Sequence, residues 1–262
     1  MRCKWCHNPE THSAKPQMFY TAQNCIGCGA CVNACKTGAH YFDAENHHCF
    51  DVQRCAGCMA CAEVCFTKAI ESVSRMMSVK EIVEIVLKDA AFYGEIGGLT
   101  LSGGEPLIYA DGCVEILRAA KEAGISTAIE TAGYCNEACI DAVAELTDVF
   151  LWDFKVGSNE LHIKYTGVSN EKILSNLFHL DKKAKRIILR CIMVKGVNMA
   201  PESLRAIVDI RRALTNCADI ELIPYHAYGG SKSKRLGYAD SGKKEWIPTA
   251  EDMKKAREFI SF

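Results

Sequence analysis

The chain has 262 residues, 49% of them hydrophobic, enough for a sizeable core in one barrel-sized domain or two smaller ones. Its 31 basic and 32 acidic side chains leave a net charge of -1, so no overall field draws it to nucleic acid or to an anionic membrane. No apolar stretch near the N-terminus reads as an export signal and none approaches the roughly 20 residues of a bilayer span, so the expectation is a cytoplasmic protein without a membrane or nucleic-acid partner.

In chain order, the first feature is Arg2-Cys3-Lys4-Trp5-Cys6-His7-Asn8-Pro9-Glu10, a C-x2-C loop. Cys25, Cys28, Cys31 and Cys35 follow with the spacing C-x2-C-x2-C-x3-C, and Cys55, Cys58, Cys61 and Cys65 repeat it thirty residues later. Sixteen cysteines without an export signal argue for metal ligation rather than disulfides. Structural zinc also uses C-x2-C pairs, but four ligands in two pairs do not call for a third evenly spaced cysteine. The runs instead match paired [4Fe-4S] clusters, in which the fourth cysteine of each run reaches across to the other cluster. That pairing joins Cys25, Cys28, Cys31 and Cys65, and separately Cys55, Cys58, Cys61 and Cys35. Residues 20–73 thus resemble a two-cluster ferredoxin module, although Lys36 and Phe66 stand where such modules usually carry proline.

From Ser78 onward, helix and strand patterns alternate. Ser78 and Glu81 form a capping box before an apolar face of Val79, Ile82, Val83, Val86 and Leu87. Strands are expected at Ile96 to Leu101, Ile125 to Glu130, Val149 to Asp153, Arg186 to Val194 and Asp219 to Ile223. Helices are expected at Asp111 to Ala123, Asn136 to Leu146, Glu171 to Lys183, from Pro201, and at Thr249 to Ile260. Such alternation with β-branched strands reads as a parallel α/β barrel or sheet. Ser102-Gly103-Gly104-Glu105-Pro106, Glu130-Thr131, Asp153-Phe154-Lys155, Arg190 and Tyr225-His226 fall at or past the C-terminal ends of five strands, the active-site end of a parallel barrel.

The Cys3-to-Glu10 loop, SGGEP, Asp153-Phe154-Lys155, Tyr165-Thr166-Gly167-Val168-Ser169-Asn170 and Pro224-Tyr225-His226 together resemble the glycyl radical enzyme activating enzymes of the radical S-adenosylmethionine superfamily, in the subgroup with a ferredoxin insert. The resemblance implies a partial (βα)6 TIM-like barrel, formed by residues 1–19 and 74–262, with the α+β ferredoxin-like module at 20–73 inserted. It implies reductive cleavage of S-adenosylmethionine to a 5′-deoxyadenosyl radical, which takes a glycine Cα hydrogen from a pyruvate formate-lyase-like partner. Three thiolates on a four-iron cluster leave one iron open to chelate the amino and carboxylate groups of S-adenosylmethionine. Carried over residue by residue, Cys3, Cys6, Lys155 and His226 form the catalytic set, with Cys3 and Cys6 on the catalytic cluster. Trp5 and His7 hold the adenine end, Gly103 and Gly104 let backbone approach the methionyl amino group, and Asp153, Phe154, Lys155, Arg190 and His226 line the rest. Glu130, Thr131 and Asp153 occupy the place of a monovalent cation in some relatives. The expected cofactors are three [4Fe-4S] clusters and S-adenosylmethionine; the expected partners are a glycyl radical enzyme and a flavodoxin or ferredoxin donor, with the chain monomeric.

The family loop is C-x3-C-x2-C, and its first cysteine would precede Met1 by two residues, so the expectation is an N-terminally truncated barrel lacking its first strand and exposing a sheet edge. The competing readings are a non-catalytic ferredoxin-type electron carrier and a radical enzyme with a different substrate. Cys49, Cys113, Cys135, Cys139, Cys191 and Cys217 match no ligand spacing. The basic runs Lys182 to Arg186 and Gly229 to Gly237 read as solvated surface, the latter as a loop.

Overall fold

The computed structural model describes residues 1–95 and 97–261. The chain divides into two compact units, one of Met1–Lys4, Met77–Tyr225 and Lys244–Phe262, the other of Trp5–Met76 and His226–Lys243.

The first unit is built on five parallel strands, β5 (Leu99–Leu101), β6 (Thr127–Thr131), β7 (Val149–Asp153), β8 (Ile187–Met193) and β9 (Cys217–Pro224), hydrogen-bonded in that order. Helices α3 (Val79–Lys88), α4 (Ala110–Glu122), α5 (Glu137–Ala144), α6 (Asn159–Thr166), α7 (Glu171–Asp181), α8 (Pro201–Ala213) and α10 (Ala250–Ile260) complete the α/β pattern of a partial TIM-like barrel. Burial alternates residue by residue along β6, β7 and β8. Ile129, Phe150, Trp152, Ile187 and Leu189 pack with Leu117 of α4, Ile140 and Val143 of α5, and Leu177 and Leu180 of α7 in one core. The period of two then turns Glu130, Asp153 and Arg190 to the other face, and the registers Asp153↔Arg190 and Arg190↔Glu221 set them side by side.

Most sequence expectations meet elements within two or three residues of their ends, and the Ser78–Glu81 capping box is present. Ile96 lies outside the described residues, and four points differ. α6 was not expected, and no residue of α3 is fully buried, Leu87 being 43% exposed. Residues 229–235 form a helix rather than a loop. Arg190 sits in the middle of β8, because that strand runs three residues past it.

The second unit carries the two cysteine runs. β1 (Met18–Tyr20) pairs antiparallel with β4 (Ile70–Ser72), and β2 (His40–Phe42) with β3 (His48–Phe50). Two short helices, α1 (Ala30–Ala34) and α2 (Ala60–Glu63), each follow a run's second cysteine and start from a left-handed residue, Gly29 with φ 76° and Met59 with φ 64°. The sequence repeat is thus also a backbone repeat. α9 (Gly229–Arg235) belongs to the same unit. No described helix is long and apolar enough to cross a membrane.

Candidate active site and cluster cavity

In the first unit, charged groups gather where β6 and β7 end, beside mid-strand Arg190 of β8 and Glu221 of β9. Lys155 Nζ donates to Asp153 Oδ2 at 2.7 Å, both side chains being mostly buried. Arg190 lies 2.6 Å from Glu130 Oε1 and 3.3 Å from Glu221 Oε2, and the Ser102 hydroxyl donates to Glu130 Oε2 at 2.8 Å. Burial raises the Cys3 thiol and the Lys155 ammonium pulls it back, which sets Cys3 within electrostatic reach of the Asp153–Lys155 pair. Backbone bonds from Arg2 and Lys4 N–H to the Thr166 and Tyr165 carbonyls, each 2.9 Å, fix Cys3 from both sides. This gives the YTGVSN stretch a mechanical task.

Sequence reasoning treated Glu105 only as part of SGGEP, yet it organises this end of the barrel. Its carboxylate accepts from the Thr131 hydroxyl at 2.5 Å, from Ala132 N–H at 3.0 Å and from Leu107 N–H at 3.3 Å. Burial raises its pKa and these bonds oppose the rise. Buried Asn198, also missed, donates to the Lys155 carbonyl at 3.1 Å and accepts from Val194 N–H at 2.7 Å, tying β7's exit to β8's. Gly103 has φ +116° and open space where a Cβ would stand, so its backbone is approachable in a conformation that favours glycine. The Phe154 side chain does not join Asp153 and Lys155: it is buried with Cys191, Met193 and Leu204 in a separate core. The expected cation ligands are otherwise engaged, Glu130 with Arg190, Thr131 with Glu105 and Asp153 with Lys155.

In the second unit, the His7 and His226 rings stack at 3.8 Å, with His7 Nε2 3.1 Å from the His226 carbonyl oxygen, and Asn8 N–H donates to Cys6 Sγ at 3.4 Å. Trp5 is buried. α9 holds this loop. A Cβ on Gly229 would stand 2.5 Å from the Cys6 carbonyl oxygen, and Lys232 Nζ donates to Asn8 Oδ1 and Glu10 Oε1, each at 2.8 Å. Arg235 donates to the Thr21 hydroxyl at 3.0 Å and lies 4.4 Å from the Phe19 ring centroid. Lys232 and Arg235 are therefore not the solvated charges the sequence suggested.

Further along this unit, a cavity is lined by Cys25, Cys28, Cys31 and Cys65, with Tyr20, Ile26, Phe42, His48, Phe66 and Ile70 around them. Four thiols from one run and the end of the other, in a largely apolar cradle, form the donor set of a four-iron cluster. Burial, with Cys55 and Cys58 adding to it, pushes the Cys61 thiol up to about 11. Burial would raise Cys35 too, but Thr37 and the Ala39 N–H bring it down to about 7, favouring thiolate. The residues of this cavity fit one four-iron cluster.

The family model of the radical SAM superfamily matches residues 52–207, and that of the 4Fe-4S dicluster domain residues 24–75. The choline trimethylamine-lyase activating enzyme of Oleidesulfovibrio alaskensis is 38% identical over 244 residues, covering 91% of this chain and 79% of that protein. The trans-4-hydroxy-L-proline dehydratase activating enzyme of Clostridioides difficile is 37% identical over 261 residues, covering 98% and 86%. Among solved structures, a domain of pyruvate-formate lyase-activating enzyme from Bacteroides vulgatus superposes with a TM-score of 0.52 at 23% identity, covering 63% of this chain and 92% of that one, a likeness of fold. The chain belongs to the radical SAM superfamily and, within it, to the activating enzymes of glycyl radical enzymes.

Proposed function

We propose that this chain installs a glycyl radical in a partner lyase, dehydratase or decarboxylase through a catalytic cluster on the Cys3–Cys6 loop, with two further clusters in residues 20–73 feeding it electrons. When bound, S-adenosylmethionine on a reduced four-iron cluster supplies methionine and the 5′-deoxyadenosyl radical that takes a glycine Cα hydrogen from the partner. The observation that carries the reading is the charged cluster where β6 and β7 end beside the middle of β8 and β9. Asp153, Lys155, Arg190, Glu130 and Glu221 form a fixed array of both signs, set by β-sheet register and suited to a zwitterionic cofactor.

Within it, Lys155 and Arg190 supply positive charge for a carboxylate, and Asp153 and Glu130 negative charge for an ammonium or sulfonium. Gly103 and Gly104 present backbone, and half-buried Glu105 keeps the turn that carries them in place through three donors. By the family resemblance, Cys3 and Cys6 are the cluster ligands and Trp5 and His7 take the adenine end, and the His7–His226 stack fixes the imidazole planes. Barrel residues 1–19 and 74–262 then act on the cofactor, and the insert binds Cys25, Cys28, Cys31 and Cys65 to one cluster and Cys55, Cys58, Cys61 and Cys35 to the other. A flavodoxin or ferredoxin supplies the electron, and the chain works as a monomer. A monovalent cation over Glu130, Thr131 and Asp153 would compete with the Lys155 and Arg190 partners that these carboxylates already have.

The test is anaerobic incubation with S-adenosylmethionine, a reductant and candidate partners, among them a choline trimethylamine-lyase and a trans-4-hydroxyproline dehydratase. The expected outcome is the electron paramagnetic resonance doublet of a glycyl radical in one partner, with 5′-deoxyadenosine formed in step. Cleavage without a radical in any glycyl radical enzyme would favour a different substrate.

A further inference from the structure

The two cysteine runs repeat in sequence and backbone, but the surroundings of their third cysteines differ. Cys61 Sγ meets the Met18 thioether at 3.2 Å, whereas Cys31 Sγ lies 3.3 Å from His48 Nε2. His48 comes from the β2–β3 hairpin, which has no counterpart after the second run among the described residues. The register His40↔Phe50 and Phe42↔His48 puts four rings on one face of that hairpin. The His48 ring is held by the edge of Tyr20 (centroids 4.7 Å apart), by Phe42 (5.9 Å) and by a stack with His40 (5.1 Å). His40 Nδ1 is 3.1 Å from the same His48 Nε2. The hairpin turn is closed by the Asp43 carboxylate, which accepts from Glu45 and His47 N–H at 3.0 and 2.8 Å.

We propose that His48 donates an N–H···S hydrogen bond to the Cys31 thiolate of the insert cluster and thereby raises that cluster's reduction potential. A cluster-bound thiolate only accepts, so the bond requires the proton on Nε2, and His40 Nδ1 takes the outer share of the same proton. His48 lines the cavity that Cys25, Cys28, Cys31 and Cys65 line, so its bond is directed at that cluster. Hydrogen bonds to cluster sulfurs stabilise the reduced, more negative state and so raise the potential. His48 is thus a positioning and tuning residue rather than a ligand, and the inference rests on the reading that the insert holds two clusters.

The test uses the full chain, anaerobically reconstituted, in a Cys3→Ala/Cys6→Ala background so that the insert clusters alone are read. Iron content is measured first: about eight irons per chain are required for two four-iron clusters, and a shortfall in this parent counts against the cluster reading itself. With iron in place, a redox titration followed by electron paramagnetic resonance compares the parent with His48→Phe and His48→Gln. In His48→Phe, one of the two midpoints should fall so that its reduced-to-oxidised ratio at a fixed potential drops about tenfold, which is 59 mV for one electron. His48→Gln, whose amide N–H reaches a similar point, should recover most of the shift. Unmoved midpoints in His48→Phe, an equal shift in both variants, or loss of about four irons in both, would overturn the assignment.

Discussion

Replacing Cys6 with alanine is expected to remove about four irons per chain and to lower 5′-deoxyadenosine formation by at least ~1000-fold, about 4 kcal/mol of barrier. The comparison is best made in a chain carrying a cysteine four positions before Cys3, which completes C-x3-C-x2-C. The size of the effect follows from what the loop provides. Cys6 supplies a thiolate directly, its sulfur is already oriented by the Asn8 N–H at 3.4 Å, and α9 holds the segment through Gly229 and Lys232. The insert should keep its own clusters, since Cys25, Cys28, Cys31 and Cys65 form a separate cavity. Iron analysis with chromatography of 5′-deoxyadenosine reads both quantities on one sample; full iron with full cleavage would remove Cys6 from the ligand set.

Replacing Cys28 with alanine should separate electron delivery from cleavage. Cys28 is an exposed cysteine lining the first insert cavity, so its loss leaves that cluster three thiolates and an undefended iron. With dithionite, which can reduce the catalytic cluster directly, cleavage should persist near the parent rate. With reduced flavodoxin or ferredoxin, it should fall at least ~100-fold, about 2.7 kcal/mol. Equal activity with both reductants would sink the relay role and leave the insert clusters as structural staples of a small domain.

The barrel was largely legible because its strands are dense in apolar β-branched residues and its helices have an apolar face. β7, for example, runs from Val149 to Asp153 as the sequence indicated. α6 escaped because the residues it buries are His162 and Thr166, so no apolar period marks it. α9 escaped because Gly229–Arg235 holds no apolar side chain at all; what it buries is Gly229, Gly230 and Ser233, and its packing depends on the absence of a Cβ at Gly229.

At the site, residue types were legible while partners were not. Sequence shows Asp153 and Lys155 two positions apart, but only the strand register brings Arg190 beside Asp153 and Glu221 beside Arg190. Phe154 looked like a site residue through its neighbours, and the alternation of the pleat turns it into the core instead. His40 and His48 left a signal that went unused, the matching His-x-Phe of two short strands eight residues apart.

The most direct test of the central claim is anaerobic iron and sulfide content together with 5′-deoxyadenosine formation, on this chain and on the chain with a cysteine four positions before Cys3. The account predicts about twelve irons for the latter, as three four-iron clusters require, and reductive cleavage of S-adenosylmethionine that exceeds that of the two-cysteine loop. Eight irons or fewer in both, with no cleavage by either, would contradict it and leave a two-cluster electron carrier.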